Sequence, residues 1–188
     1  MIGFNQLRVP LLVWFLIPTF LIVGLGAWFL SKTSTTPSKE GEVLPAAVSN
    51  PVEGTQDFEI VGRNHIPGGT FGSGYNSNPP SSGPHWASPA KNGFYDSALP
   101  DEQLIHNLEH GHVWIAYKPD VGEEIKNELK KIAEDEDWKV VVASRDKNET
   151  KIACVAWGRV LKMDEPDFDK IRDFIKTYRN RGPEKTPE

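Results

Sequence analysis

The chain has 188 residues, with 21 basic and 26 acidic side chains and a formal net charge of −5. That length suits one domain with an appendage. The acidic balance, with no basic patch interleaved with aromatics, argues against nucleic acid or anionic lipid headgroups as the main partner. Cys154 is the single cysteine, which excludes an intramolecular disulfide.

Residues 1–8 form a short N-terminal tail, and residues 11–30 carry no charge at all. A helix needs about 20 apolar residues to cross the hydrocarbon core. Trp14 and Trp28 sit near the two ends of the run, where amphipathic rings prefer the interface. Pro18 is tolerated in a membrane helix. The segment 9–31 is therefore expected to be a single transmembrane anchor, with the lipid bilayer as its partner. A cleaved signal peptide is the competing reading. Gly24-Leu25-Gly26 or Leu25-Gly26-Ala27 could serve as its cleavage site, but the apolar run continues past both.

Flanking charge is nearly tied, Arg8 on one side against Lys32 and Lys39 on the other, so it does not set the orientation. Residues 32–54 are rich in Ser, Thr, Pro and Gly and read as a flexible tether. Such a tether argues for an exported C-terminal part, that is, a single-pass cell-membrane protein with an extracytoplasmic domain.

The globular domain is expected over 55–180, with a polar tail at 181–188. Residues 55–100 are loop-like, dense in Gly, Pro, Ser and Asn. Leu99–His110 reads as a short helix, with Pro100, Asp101 and Glu102 suiting its first turn and Gly111 its stop. His112–Tyr117 reads as a strand ended by Pro119. Residues 122–135 form an amphipathic helix with Ile125, Leu129 and Ile132 on one stripe. Trp138–Ser144 and Ile152–Met163 read as strands joined by a polar turn, an expected antiparallel hairpin. Asp164 is the expected N-cap of a last helix whose buried face holds Phe168, Ile171, Phe174, Ile175 and Tyr178.

The order helix, strand, helix, strand, strand, helix predicts an α+β fold, a mixed sheet packed against helices, with a βαβ crossover between the first two strands. A thioredoxin-like half-fold has a similar order. The chain lacks a Cys-x-x-Cys, so that chemistry does not follow. Cys154 lies in an apolar strand and reads as a buried, inert thiol.

All five histidines fall between His65 and His112. Imidazole is the commonest protein ligand for transition metals. His106 and His110, four apart on a helix, can take adjacent corners of a tetrahedral site. Glu109, beside them, is a candidate ligand, supporting carboxylate or general base. At about 100° from His110 on an ideal helix, it is expected to miss the histidine face. The segment Tyr75–Trp86 holds three prolines, which stiffen the loop that presents His85. His65 opens the turn Pro67-Gly68-Gly69.

Pro79-Pro80-Ser81-Ser82-Gly83-Pro84-His85, Gly93-Phe94-Tyr95 and His106-Asn107-Leu108-Glu109-His110-Gly111 together resemble a bacterial family catalogued as domain of unknown function 3105. The resemblance covers about residues 55–180. It implies a short membrane segment followed by one small extracytoplasmic domain, and no established activity. It maps the family's shared histidines onto His65, His85, His106 and His110, and leaves His112 as the weakest ligand candidate.

The leading expectation is a metal site of His85, His106 and His110, completed by His65 and supported by Glu109. Imidazole with carboxylate and no thiolate suits zinc or copper better than iron. One alternative is a metal-dependent hydrolase of the cell envelope, with Glu109 as base and Ser81, Ser82 or Tyr95 positioning substrate. The other is a non-catalytic envelope module that meets a protein partner through Phe71, Tyr75, Trp86, Phe94 and Tyr95.

Overall fold

The computed structural model describes residues 44–187. The expected anchor at 9–31 and the first part of the linker lie outside the described residues. Among the described residues no helix is long and apolar enough to cross a membrane.

The loop-rich half contributes β1 (Gln56–Asp57), β2 (His65–Ile66), β3 (His85–Trp86) and β4 (Gly93–Ala98). There follow α1 (Asp101–Glu109), β5 (Val113–Tyr117), α2 (Glu123–Asp135) and β6 (Val140–Ser144). The chain ends with β7 (Ile152–Ala156), β8 (Arg159–Met163) and α3 (Phe168–Tyr178). Six strands form one mixed sheet in the order β1-β8-β7-β5-β6-β4, while β2 and β3 pair separately. The fold is thus α+β, as the element order predicts.

Successive side chains of a strand face opposite ways, and this divides the core in two. On one face Val113, Ile115, Val140, Val142 and Cys154 pack with Leu129 and Ile132 of α2 and with Ile171, Phe174 and Ile175 of α3. On the other, Trp114, Ala116, Val141, Ala143 and Val155 pack with Leu104, Ile105 and Leu108 of α1. Helices cover both faces, so the central strands need apolar residues at every position. That is why Val140-Val141-Val142 is continuous rather than alternating.

The expected hairpin is corrected. β6 runs parallel to β5, which it reaches through α2 as the predicted crossover requires. β7 pairs antiparallel with β5 instead of β6. The hairpin lies inside the single strand expected over Ile152–Met163: β7 and β8 pair antiparallel about Trp157-Gly158. Gly158 takes φ +69°, a turn conformation that other residues resist. The N-cap of α3 is Asp167 rather than Asp164; its carboxylate accepts from Lys170 N–H at 2.9 Å.

Both ends of the expected domain extend further. Within the linker, Val48 and Val52 pack against the core, and the Arg159 guanidinium donates to the Ala46 carbonyl. After α3 the chain, including residues expected as a polar tail, folds back onto the end of α1, where Asn180 N–H donates to the Gly111 carbonyl at 2.7 Å and Glu184 N–H to the Glu109 carbonyl at 3.1 Å.

Candidate metal centre

Three elements meet at the histidines. β2 and β3 pair in parallel with His65 opposite His85, so two separate loops set the two rings side by side, with centroids 4.9 Å apart. α1 supplies the third wall. Its apolar side is fixed on the sheet by Leu104, Ile105 and Leu108, each fully buried, which aims His106 and Glu109 at the loops. Gly111, at φ +83°, ends the helix as expected.

His65, His85, His106 and Glu109 each offer one ligand atom, and these atoms lie within 4.8 Å of one another. Glu109 Oε2 is the hub: 2.9 Å from His85 Nε2, 3.7 Å from His65 Nε2 and 3.8 Å from His106 Nδ1. His85, His106 and Glu109 are buried, while the His65 side chain is 49% exposed and faces solvent. This group can hold a metal ion.

Glu109 therefore joins His106, against the expectation that helix geometry separates it from the histidine face. That expectation measured its angle from His110. The relevant offset is three residues from His106, a neighbouring position on any helix. His110 lies outside the group. Its ring is 4.3 Å from that of His106, and its Nε2 is 3.4 Å from Glu184 Oε2. His112 is buried in the next turn, and its Nδ1 has no hydrogen-bond partner.

The hydrogen bonds at the donor atoms leave lone pairs that a cation could use. The Gly83 carbonyl can only accept, so His85 Nδ1–H donates to it at 2.8 Å. With that proton committed, Nε2 either shares a second proton with Glu109 or offers its lone pair to a metal. In metal sites a backbone carbonyl commonly accepts the other ring N–H of a ligating imidazole and so fixes its tautomer and orientation. His106 Nδ1 is buried with no hydrogen-bond partner, a costly state unless a ligand satisfies it.

Electrostatics follow the same geometry. Burial pushes the His85 pKa down, but the Glu109 carboxylate and the Gly83 carbonyl outweigh it and leave the value raised. Burial pushes Glu109 up, and hydrogen bonding and charge from His85 bring it below the usual carboxylate value. Burial, then the neighbouring His110 and His85, lower His106 to about 4. Burial, then Lys139, lower His112 to about 4. Cys154 is fully buried and its thiol is pushed up by burial alone, consistent with an inert side chain.

The residues expected to position a substrate are engaged in holding the loop. Ser82 Oγ accepts from Val61 N–H at 3.1 Å, and Ser81 Oγ pairs with Ser77 Oγ at 3.0 Å. The Tyr95 hydroxyl donates to the Lys91 carbonyl at 2.9 Å. Of the aromatics, Phe71 and Trp86 line one shallow pocket with Leu99 and Pro100. Phe94 stacks on Tyr117 with centroids 5.6 Å apart, the Tyr75 hydroxyl donates to the Pro84 carbonyl at 2.7 Å, and Phe71 stands 90% exposed.

Two supports of the site lie outside the sequence reading. The Asn107 side chain bonds both the N–H and the carbonyl of Ala90, each at 2.8 Å, and so ties α1 to the loop before β4. The Lys139 ammonium binds the His110 carbonyl at 2.8 Å. An asparagine between two candidate ligands carries no signal of such a role. Lys139 falls within the expected strand Trp138–Ser144, where its sequence shows only a charge.

No curated protein and no solved structure matches the chain. The profile of a family described as "Protein of unknown function (DUF3105)" matches residues 72–188, which hold His85, His106 and Glu109 of the centre. The chain, with its α+β domain and its cluster of three histidines and a glutamate, belongs to that family.

Proposed function

We propose that this protein binds one transition-metal ion through His65, His85, His106 and Glu109, in a domain tethered outside the cell membrane by residues 9–31. The observation that carries the metal reading is the convergence of three imidazoles on one buried carboxylate, with ligand atoms within 4.8 Å of one another. Three nitrogens and one oxygen match the donor preference of Zn(II) or Cu(II), and four ligands suit a tetrahedral zinc site. The anchor reading is supported by the uncharged run 11–30. The extracytoplasmic placement is supported by the composition that follows it.

A hydrolytic role requires an open coordination position. His65 is the one half-exposed member of the group and sits on a two-residue strand, so its displacement would open the solvent side.

The test is metal analysis of the full chain, purified without a histidine tag and reconstituted with zinc, copper or iron in turn. One equivalent of zinc or copper is expected. A folded chain that retains no stoichiometric metal in any of the three overturns the reading. Alkali-resistant retention in the membrane fraction, with the C-terminal domain open to protease from outside, is expected for the anchor.

A further inference from the structure

The last carbonyls of a helix lack intrahelical donors, and Glu109 is the final residue of α1. Here three consecutive carbonyls at that end each receive an external donor. Glu184 N–H donates to the Glu109 carbonyl at 3.1 Å. The Lys139 ammonium donates to the His110 carbonyl at 2.8 Å. Asn180 N–H donates to the Gly111 carbonyl at 2.7 Å.

The segment that supplies two of these donors is locked in turn. Asn180 takes φ +60°, which turns the chain back after α3. Gly182 is buried against the Leu108 and Glu109 carbonyls and the Gly111 nitrogen, and a Cβ there would run into all three. The Lys139 ammonium also binds the Thr186 carbonyl at 2.8 Å and its hydroxyl at 3.2 Å. Lys139 itself is fully buried.

We propose that residues 180–186 form a strap that positions Glu109 for the metal, through Gly182 and the backbone N–H of residue 184, with no role for the Glu184 carboxylate. The inference rests on the metal-binding reading above. A ligand on the last residue of a helix is prone to fraying, and ordering it on binding would weaken affinity. The strap removes that cost by holding the Glu109 backbone before the ion arrives. Gly182 is required because only a residue without Cβ lets the strap approach the carbonyls closely.

The test measures zinc affinity of the full chain by competition with a chromophoric chelator, together with the Co(II) d–d spectrum, in three variants. One ends after Arg181. Glu184→Pro removes the N–H given to Glu109. Glu184→Gln keeps that N–H and removes only the charge beside His110. The truncation and Glu184→Pro are expected to weaken zinc binding about ten- to a hundredfold, as loss of outer-shell support does. Their Co(II) spectra should change while the metal-free far-ultraviolet circular dichroism stays that of the parent. Glu184→Gln, at a half-exposed carboxylate, should remain within about twofold of the parent. If the truncated chain does not fold, Glu184→Pro decides. Parental affinity and Co(II) spectrum in a folded Glu184→Pro chain overturn the strap and leave the metal reading standing. Failure of the parent chain itself to bind zinc or Co(II) overturns both.

Discussion

Among single residues, the pair His85 and Glu109 decides the chemistry of the centre. Each is buried, and they face each other at 2.9 Å. Removing His85 deletes a proposed ligand and leaves a buried carboxylate with weaker company, so on the metal-binding proposal His85→Ala is expected to weaken zinc binding by more than about a hundredfold, beyond the loss of a group that merely supports a ligand. Isothermal titration of the folded variant checks this; affinity within about tenfold of the parent would place the ion elsewhere. His112 gives a second prediction, independent of metal. Its folded form, held at about 4, declines a proton that the unfolded chain takes up near the ordinary histidine value of 6.5. Its contribution to stability is therefore present above about 6.5 and lost as pH falls towards 4. By linkage the loss is up to about 3 kcal/mol. His106, lowered in the same way, adds to it. His85, whose value is raised, works in the opposite direction: its contribution is present below 6.5 and lost as pH climbs past its folded value. Urea unfolding of the metal-free chain across this range should show the net acid loss, and His112→Gln should flatten part of it. An unchanged pH slope in that variant would show that His112 is not the group responsible.

Among elements, α1 is the one whose placement matters most, and its first turn is held by a buried arginine. Arg145, at the end of β6, makes two hydrogen bonds of 2.8 Å to the Asp101 carboxylate and one of 2.7 Å to Asn78 in the proline loop. Breaking such a pair leaves charge and polar groups stranded, so Arg145→Ala should cost about 3 kcal/mol in denaturant unfolding. Asp167→Ala, which removes only the N-cap of α3, should cost about 1 kcal/mol. Equal costs would mean that Arg145 acts as a surface residue. The helices were legible because amphipathic spacing and Pro and Gly punctuation are local signals. Strand partners were not. The run Val140-Val141-Val142 says that both faces are buried and nothing about which strand lies beside it, so sequence proximity favoured a hairpin that the crossover to β5 displaces. β4 carries no strand signal, because Gly93-Phe94-Tyr95-Asp96-Ser97-Ala98 lacks a run of β-branched residues. At the centre, the confinement of all five histidines to 65–112 points to His65, His85 and His106 as candidates, and the structure brings these three together. Glu109 is a candidate from its place beside the histidines, and only the angle taken from His110 sets it off their face; its offset of three from His106 brings it into the group. The strap at 180–186 left no mark in composition, because what it contributes is backbone donors.

On the scale of the whole domain, the centre joins two halves of different character. His65 and His85 come from the glycine- and proline-rich half, whose strands β2 and β3 have two residues each. His106 and Glu109 come from α1, which is packed on the six-stranded sheet through Leu104, Ile105 and Leu108. The sheet half has an apolar core on each face. The β2–β3 pair depends instead on turns and hydrogen bonds, such as His85 N–H to the Asn64 carbonyl at 3.1 Å. A metal bound across the seam would act as a cross-link that exists only in the folded state. Mass action then stabilises the domain by about 2.7 kcal/mol when free zinc is a hundred times its Kd. For a domain of this size that is a rise of roughly 10 °C in the melting midpoint. Scanning calorimetry of the full chain with zinc, and again after chelation, should show the rise and its reversal. His85→Ala should show neither. Hydrogen exchange should locate the gain in the segments around His65 and His85 more than in β5–β8, because the sheet core is already protected without the ion. A rise that survives in His85→Ala, or protection confined to the sheet, would mean that the ion binds elsewhere and that the two halves are held together by packing alone.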